Sequence, residues 1–122
     1  MAKTILIVDD SMSLRTTLGI ALKSAGYDVV EAVDGRDGVS KLDGRKYNLI
    51  ISDVNMPNMD GISFVKAAKA MSGYRFTPVL MLTTEGDATK MAEGKAAGVR
   101  AWVIKPFQPP ALLDAVSKLV TA

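Results

Sequence analysis

Ile5-Leu6-Ile7-Val8-Asp9-Asp10 is a run of four apolar residues closed by two aspartates. Leu49-Ile50-Ile51-Ser52-Asp53 repeats the device, with one aspartate at the end of its apolar run. Neither run alternates apolar with polar residues, as strands covered on both faces do not. Carboxylates at such positions are costly unless something compensates them. If both runs are central strands of one sheet, Asp9, Asp10 and Asp53 converge at a single edge. A hard divalent cation with oxygen ligands, Mg2+ above all, is the natural compensation.

Working outward, short apolar runs alternate with amphipathic stretches. Strands are expected at 4–8, 27–31, 48–52, 77–82 and 100–104. Between them, 13–25 places Leu14, Leu18, Ala21, Leu22 and Ala25 on one helical stripe that stops at Gly26. Further helices are expected at 35–42, at 61–71 with Ile62, Val65 and Ala68, and at 87–97 with Asp87 as N-cap and Gly98 beyond its end. The last, 110–120, opens on a proline and carries Leu112, Val116 and Leu119. Five strands alternating with five helices predict a doubly wound α/β fold, a parallel sheet covered on both faces. The 122 residues read as one domain, 1–122, without repeat, linker or low-complexity segment.

Composition narrows the chemistry. There are no cysteines and no histidines, which removes disulfides, thiolate or imidazole metal sites, and Cys or His catalysis. A net charge of +2 with dispersed Lys and Arg argues against nucleic acid as a partner. No apolar stretch reaches the ~18 residues of a membrane span, so no membrane partner is expected. Met1-Ala2-Lys3-Thr4 runs straight into the first strand, and no signal peptide is expected.

In a doubly wound sheet, ligands bind outside the carboxyl ends of the strands. Two more strands end in polar groups there: Thr83 and Thr84 after Val79-Leu80-Met81-Leu82, and Lys105 after Trp102-Val103-Ile104. Each alone is an ordinary turn or surface residue. Together, four of the five strands deliver acids, a hydroxyl or an amine to one rim.

This ordered set, Asp9-Asp10, Asp53, Thr83 and Lys105-Pro106, resembles the receiver domain of two-component response regulators. The likeness extends to the loop Asp53-Val54-Asn55-Met56-Pro57-Asn58-Met59-Asp60-Gly61 and the ending Lys105-Pro106-Phe107, and it covers essentially the whole chain. It implies a flavodoxin-like sheet of order 2-1-3-4-5. It also implies that Asp53 accepts a phosphoryl group from a histidine kinase, with Mg2+ held by Asp9, Asp10, Asp53 and the backbone carbonyl of Asn55. Lys105 would pair with Asp53 and then with the phosphoryl oxygens. Thr83 would be the switching hydroxyl and Trp102 the switching aromatic, where many members carry tyrosine. Asn55 and Glu85 match positions that tune phosphoryl lifetime, and Lys105-Pro106 matches a cis peptide.

The chain ends soon after its fifth helix, so it resembles the single-domain chemotaxis regulators more than receivers fused to an output domain. That likeness implies a cytoplasmic, monomeric, non-enzymatic protein that signals by binding a flagellar switch protein, with a phosphatase as a further partner. The alternative within the family is a phosphorelay intermediate that passes the group to another histidine domain. From another class, a haloacid-dehalogenase-like phosphohydrolase is disfavoured. It needs Asp-x-Asp after the first strand, where this chain has Asp9-Asp10-Ser11. A flavodoxin-like electron carrier lacks its phosphate loop here, and a dinucleotide binder lacks Gly-x-Gly-x-x-Gly.

Overall fold

The computed structural model describes residues 3–83 and 88–120. Five strands, β1 (Thr4–Val8), β2 (Asp28–Ala32), β3 (Leu49–Asp53), β4 (Val79–Thr83) and β5 (Ala101–Ile104), alternate with five helices. The helices are α1 (Met12–Ser24), α2 (Gly35–Lys41), α3 (Gly61–Ala70), α4 (Ala88–Ala97) and α5 (Pro109–Leu119). The sheet is parallel throughout, with order β2-β1-β3-β4-β5.

The unalternating runs are explained by two separate cores. Successive side chains of a strand point to opposite faces. Leu6, Val8, Ile50, Val79 and Met81 therefore pack with Phe64, Val65 and Ala68 of α3. Ile5, Ile7, Leu49, Ile51, Leu80 and Leu82 pack with Leu18 and Leu22 of α1 and with Leu112 and Val116 of α5. Every residue of β3 and β4 is buried, so the polar groups at their ends are delivered from the centre of the sheet.

Local chemistry sets the helix starts. Ser11 accepts the Leu14 N–H at 3.3 Å, Asp34 that of Asp37 at 2.8 Å and Asp60 that of Ser63 at 2.8 Å. Each cap satisfies a donor left without an intrahelical partner. α5 lacks a side-chain cap and begins instead with prolines in its first turn. Gly26 and Gly98, expected as helix stops, adopt φ of 96° and 110°, conformations that side chains disfavour. The N-cap expected at Asp87 lies outside the described residues. Among the described residues, no helix is long and apolar enough to cross a membrane.

Candidate functional site

β1 and β3 are neighbours, with Val8 opposite Ser52, and their carboxyl ends bring the three acids together. Carboxylate oxygens of Asp9, Asp10 and Asp53 lie within 4.8 Å of one another. Asp9 is fully buried, Asp53 nearly so, and Asp10 is exposed. Asp9 Oδ1 accepts the Ser11 N–H at 2.9 Å, and Asp53 Oδ1 accepts the Val54 N–H at 2.8 Å. These bonds leave the second oxygen of each buried carboxylate to Lys105.

Lys105 answers both. Its Nζ stands 2.9 Å from Asp53 Oδ2 and 3.7 Å from Asp9 Oδ2. The second separation is an ion-pair distance and too long for a hydrogen bond, so Asp9 Oδ2 is buried without a hydrogen-bond partner. Burial raises the Asp9 carboxyl above the usual carboxylate range. The Ser11 N–H opposes the shift, Asp53 adds to it, and Lys105 only partly offsets it. One lysine cannot neutralise three acids, and the unsatisfied oxygen is Asp9's.

Backbone geometry aims these groups. The Lys105 N–H donates to the Thr83 carbonyl at 2.7 Å, prolonging the β4–β5 pairing by one residue, and the Lys105–Pro106 peptide is cis, as the family likeness implies. Behind Asp53, Gly61 opens α3 with its N–H on the Val54 carbonyl at 2.8 Å. A Cβ on Gly61 would collide with the carbonyl oxygen of Asp53, so a glycine is required for α3 to close on the strand end.

Thr83, almost completely buried, sits at the end of β4, one residue beyond Leu82, the register partner of Asp53. Asn55 is exposed two residues after Asp53. Trp102 lies on β5 beside Met81, is partly buried, and packs against the α3-side core. Glu85 and Thr84 fall outside the described residues. The structure thus brings Asp9, Asp10, Asp53, Thr83 and Lys105 to one rim.

A residue that sequence reasoning missed is Arg15. Its side chain lies buried under the acid turn, with Nη1 donating to the Asp9 carbonyl at 2.6 Å and Nε facing Glu31 Oε1 at 3.3 Å. The signal was an arginine one turn into a helix that follows two acids.

The sequence matches the response regulator receiver domain over residues 5–117. The chain belongs to that family. Chemotaxis protein CheY1 of Helicobacter pylori is 37% identical over 112 residues, 90% of each chain. Protein PilG of Pseudomonas aeruginosa is 34% identical over 92% of this chain and 83% of that one. Among solved structures, chemotaxis protein CheY4 of Vibrio cholerae superposes with a TM-score of 0.94 at 46% identity, over 98% of this chain and all of that one. The receiver domain of the sensor histidine kinase PA1611 from Pseudomonas aeruginosa, with a magnesium ion coordinated in its active site cleft, gives a TM-score of 0.89 at 26% identity over 98% of both chains. A receiver is a signalling domain, and the strand order expected of the family is the one observed.

Proposed function

We propose that residues 1–122 form a single response-regulator receiver, whose Asp53 takes a phosphoryl group from a phosphohistidine of a partner histidine kinase. The observation that carries this reading is the setting of Asp53. One oxygen is fixed by the Val54 N–H, and the other faces Lys105 at 2.9 Å among two further carboxylates. In the transfer, the rim-facing Asp53 oxygen bonds to phosphorus as the phosphorus–nitrogen bond breaks, and that electron pair leaves with the imidazole. The product is an acyl phosphate. The chain has no histidine, so the donor comes from a partner.

An oxygen-only donor set with one buried, unsatisfied carboxylate oxygen fits Mg2+. Asp9, Asp10, Asp53 and the backbone carbonyl of Asn55 would hold it, Asp9 partly through water. Bound there, it supplies the charge neutralisation on which phosphoryl transfer depends. Lys105 holds Asp53 before transfer and the phosphoryl oxygens after it. Thr83 donates to the new oxygens, and Trp102 follows the rearrangement. Asn55 and Glu85 tune the lifetime of the acyl phosphate.

Beside Lys105, a groove of about 720 Å³ lined by Ser11, Leu14, Thr17, Pro106, Phe107 and Pro109 offers an approach for the donor. The surface of α4, β5 and α5 carries the output. Its poorly anchored α4, the half-exposed Ile104 and the Trp102 ring are the parts that respond. The names of CheY1 and CheY4 support chemotaxis. On this reading the target is a flagellar switch protein, the chain acts as a cytoplasmic monomer, and a phosphatase ends the signal. A relay intermediate would use the same residues, and transfer onward to a histidine domain distinguishes it.

Incubation with acetyl phosphate, with and without Mg2+, followed by intact mass, tests the chemistry. A Mg2+-dependent, hydroxylamine-labile phosphoryl adduct absent from Asp53→Asn supports the reading. Absence of any adduct refutes it.

A further inference from the structure

We infer that Arg15 is a positioning residue for the acid centre: its guanidinium holds the Asp9 carbonyl and thereby fixes where the Asp9–Asp10 pair presents its carboxylates. Helical side chains lean toward the helix N-terminus, so a residue in the first turn of α1 can reach back beneath the turn that precedes it. Arg15 does so. Nη1 donates to the Asp9 carbonyl at 2.6 Å in a buried setting, and Nε is held by Glu31 at the end of β2, at 3.3 Å.

Three other bonds show what this contact adds. The Asp9 N–H is spent on the Ala32 carbonyl at 3.1 Å, Asp9 Oδ1 on the Ser11 N–H at 2.9 Å, and α1 is already capped by Ser11. The Asp9 carbonyl begins the peptide that leads to Asp10. It lies beyond the last rung of the β1–β2 ladder and is held by the Arg15 guanidinium. That bond sets the Asp9–Asp10 peptide plane from its carbonyl end, and of the Asp9 carboxylate only Oδ2 remains for a ligand. Without it, the plane can rotate, and Asp10 moves with it. Arginine is seldom buried without such a purpose. A hydrogen bond that orients a metal ligand from outside is commonly worth 10–100-fold in metal affinity.

This inference rests on the reading of the three acids as a Mg2+ site, so wild type is titrated first. Absence of Mg2+ binding by calorimetry in wild type removes that reading itself. Given wild-type binding, Arg15→Met keeps the packing volume and removes the donor. Leu18→Ala, in the same helix, removes buried apolar volume from the core and is destabilising. The expected result is about 10–100-fold weaker Mg2+ binding for Arg15→Met, with Leu18→Ala unchanged. Arg15→Lys, which keeps the charge but not the fork that reaches both partners, should fall between them. If Arg15→Met fails to fold, Arg15→Lys and Glu31→Gln decide, each expected to bind Mg2+ several-fold more weakly than wild type. Wild-type Mg2+ affinity in the folded Arg15 variants, or equal weakening by Leu18→Ala, overturns the inference.

Discussion

Gly94 of α4 and Trp102 of β5 share one space: a Cβ on Gly94 would lie 2.5 Å from Cη2 and Cζ2 of the indole. A glycine inside a helix costs about 1 kcal/mol of propensity against alanine, and here that loss makes room for a large ring. Gly94→Ala should therefore push the indole outward. Trp102 is the only tryptophan, so its emission reports the movement directly. The expected outcome is a red-shifted maximum and greater acrylamide quenching. Unchanged fluorescence would mean that α4 yields rather than the ring.

Asp9 links the site to pH. Its folded carboxyl titrates above the unfolded value, chiefly through burial. A raised pKa means that its contribution to stability is present below the unfolded value and lost as pH rises through the folded one. At neutral pH without metal, the burial of the Asp9 carboxyl opposes folding. Asp9→Asn should then melt higher than wild type in EDTA, with the gap closing as pH falls into the acid range. Adding Mg2+ should stabilise wild type and leave the variant nearly unmoved. A variant less stable than wild type in EDTA at pH 7 would contradict this electrostatic account.

On the proposed reading, Lys105 would compete with a cation at the acids but serve the transferred group. Lys105→Met should slow acetyl phosphate turnover by about 100-fold, the usual effect of removing one donor from a developing charge. Its Mg2+ affinity should be equal to wild type or tighter, because a neighbouring positive charge is gone. Parallel loss of both properties would show that the lysine only supports the fold.

Gly61 ties the fold to the site. Alanine would improve helix propensity at the start of α3, yet its Cβ would meet the Asp53 carbonyl oxygen, a backbone atom that cannot step aside. Gly61→Ala should lose about 1–3 kcal/mol in urea unfolding and slow phosphorylation as Asp53 shifts. Wild-type stability and rate would show that the two elements are free to separate.

Most of the architecture was legible because two runs, residues 5–8 and 49–51, could only be strands buried on both faces. The rim followed, since polar residues after such strands have one place to go. Edges were read less well. β3 was expected from Asn48, but that side chain turns to accept the Thr4 N–H at 2.9 Å, and the strand begins at Leu49. α1 was expected from Ser13, whereas the Ser11 cap starts it at Met12. Ala25 was placed on the buried stripe and is exposed, because the helix ends at Ser24. Arg15 escaped because apolar periodicity registers packing and not a guanidinium bonded to a carbonyl. The contact of Gly94 with Trp102 joins two elements through space, and neither residue signals it alone.

The most direct test of the central claim is to locate the phosphoryl group chemically. Protein treated with acetyl phosphate and Mg2+ is reduced with borohydride, which converts an aspartyl phosphate to homoserine, and then mapped by peptide mass. Homoserine at position 53, and nowhere else, is the predicted result. Homoserine at Asp9 or Asp10, or at no position despite a phosphoryl adduct in the intact mass, would contradict it.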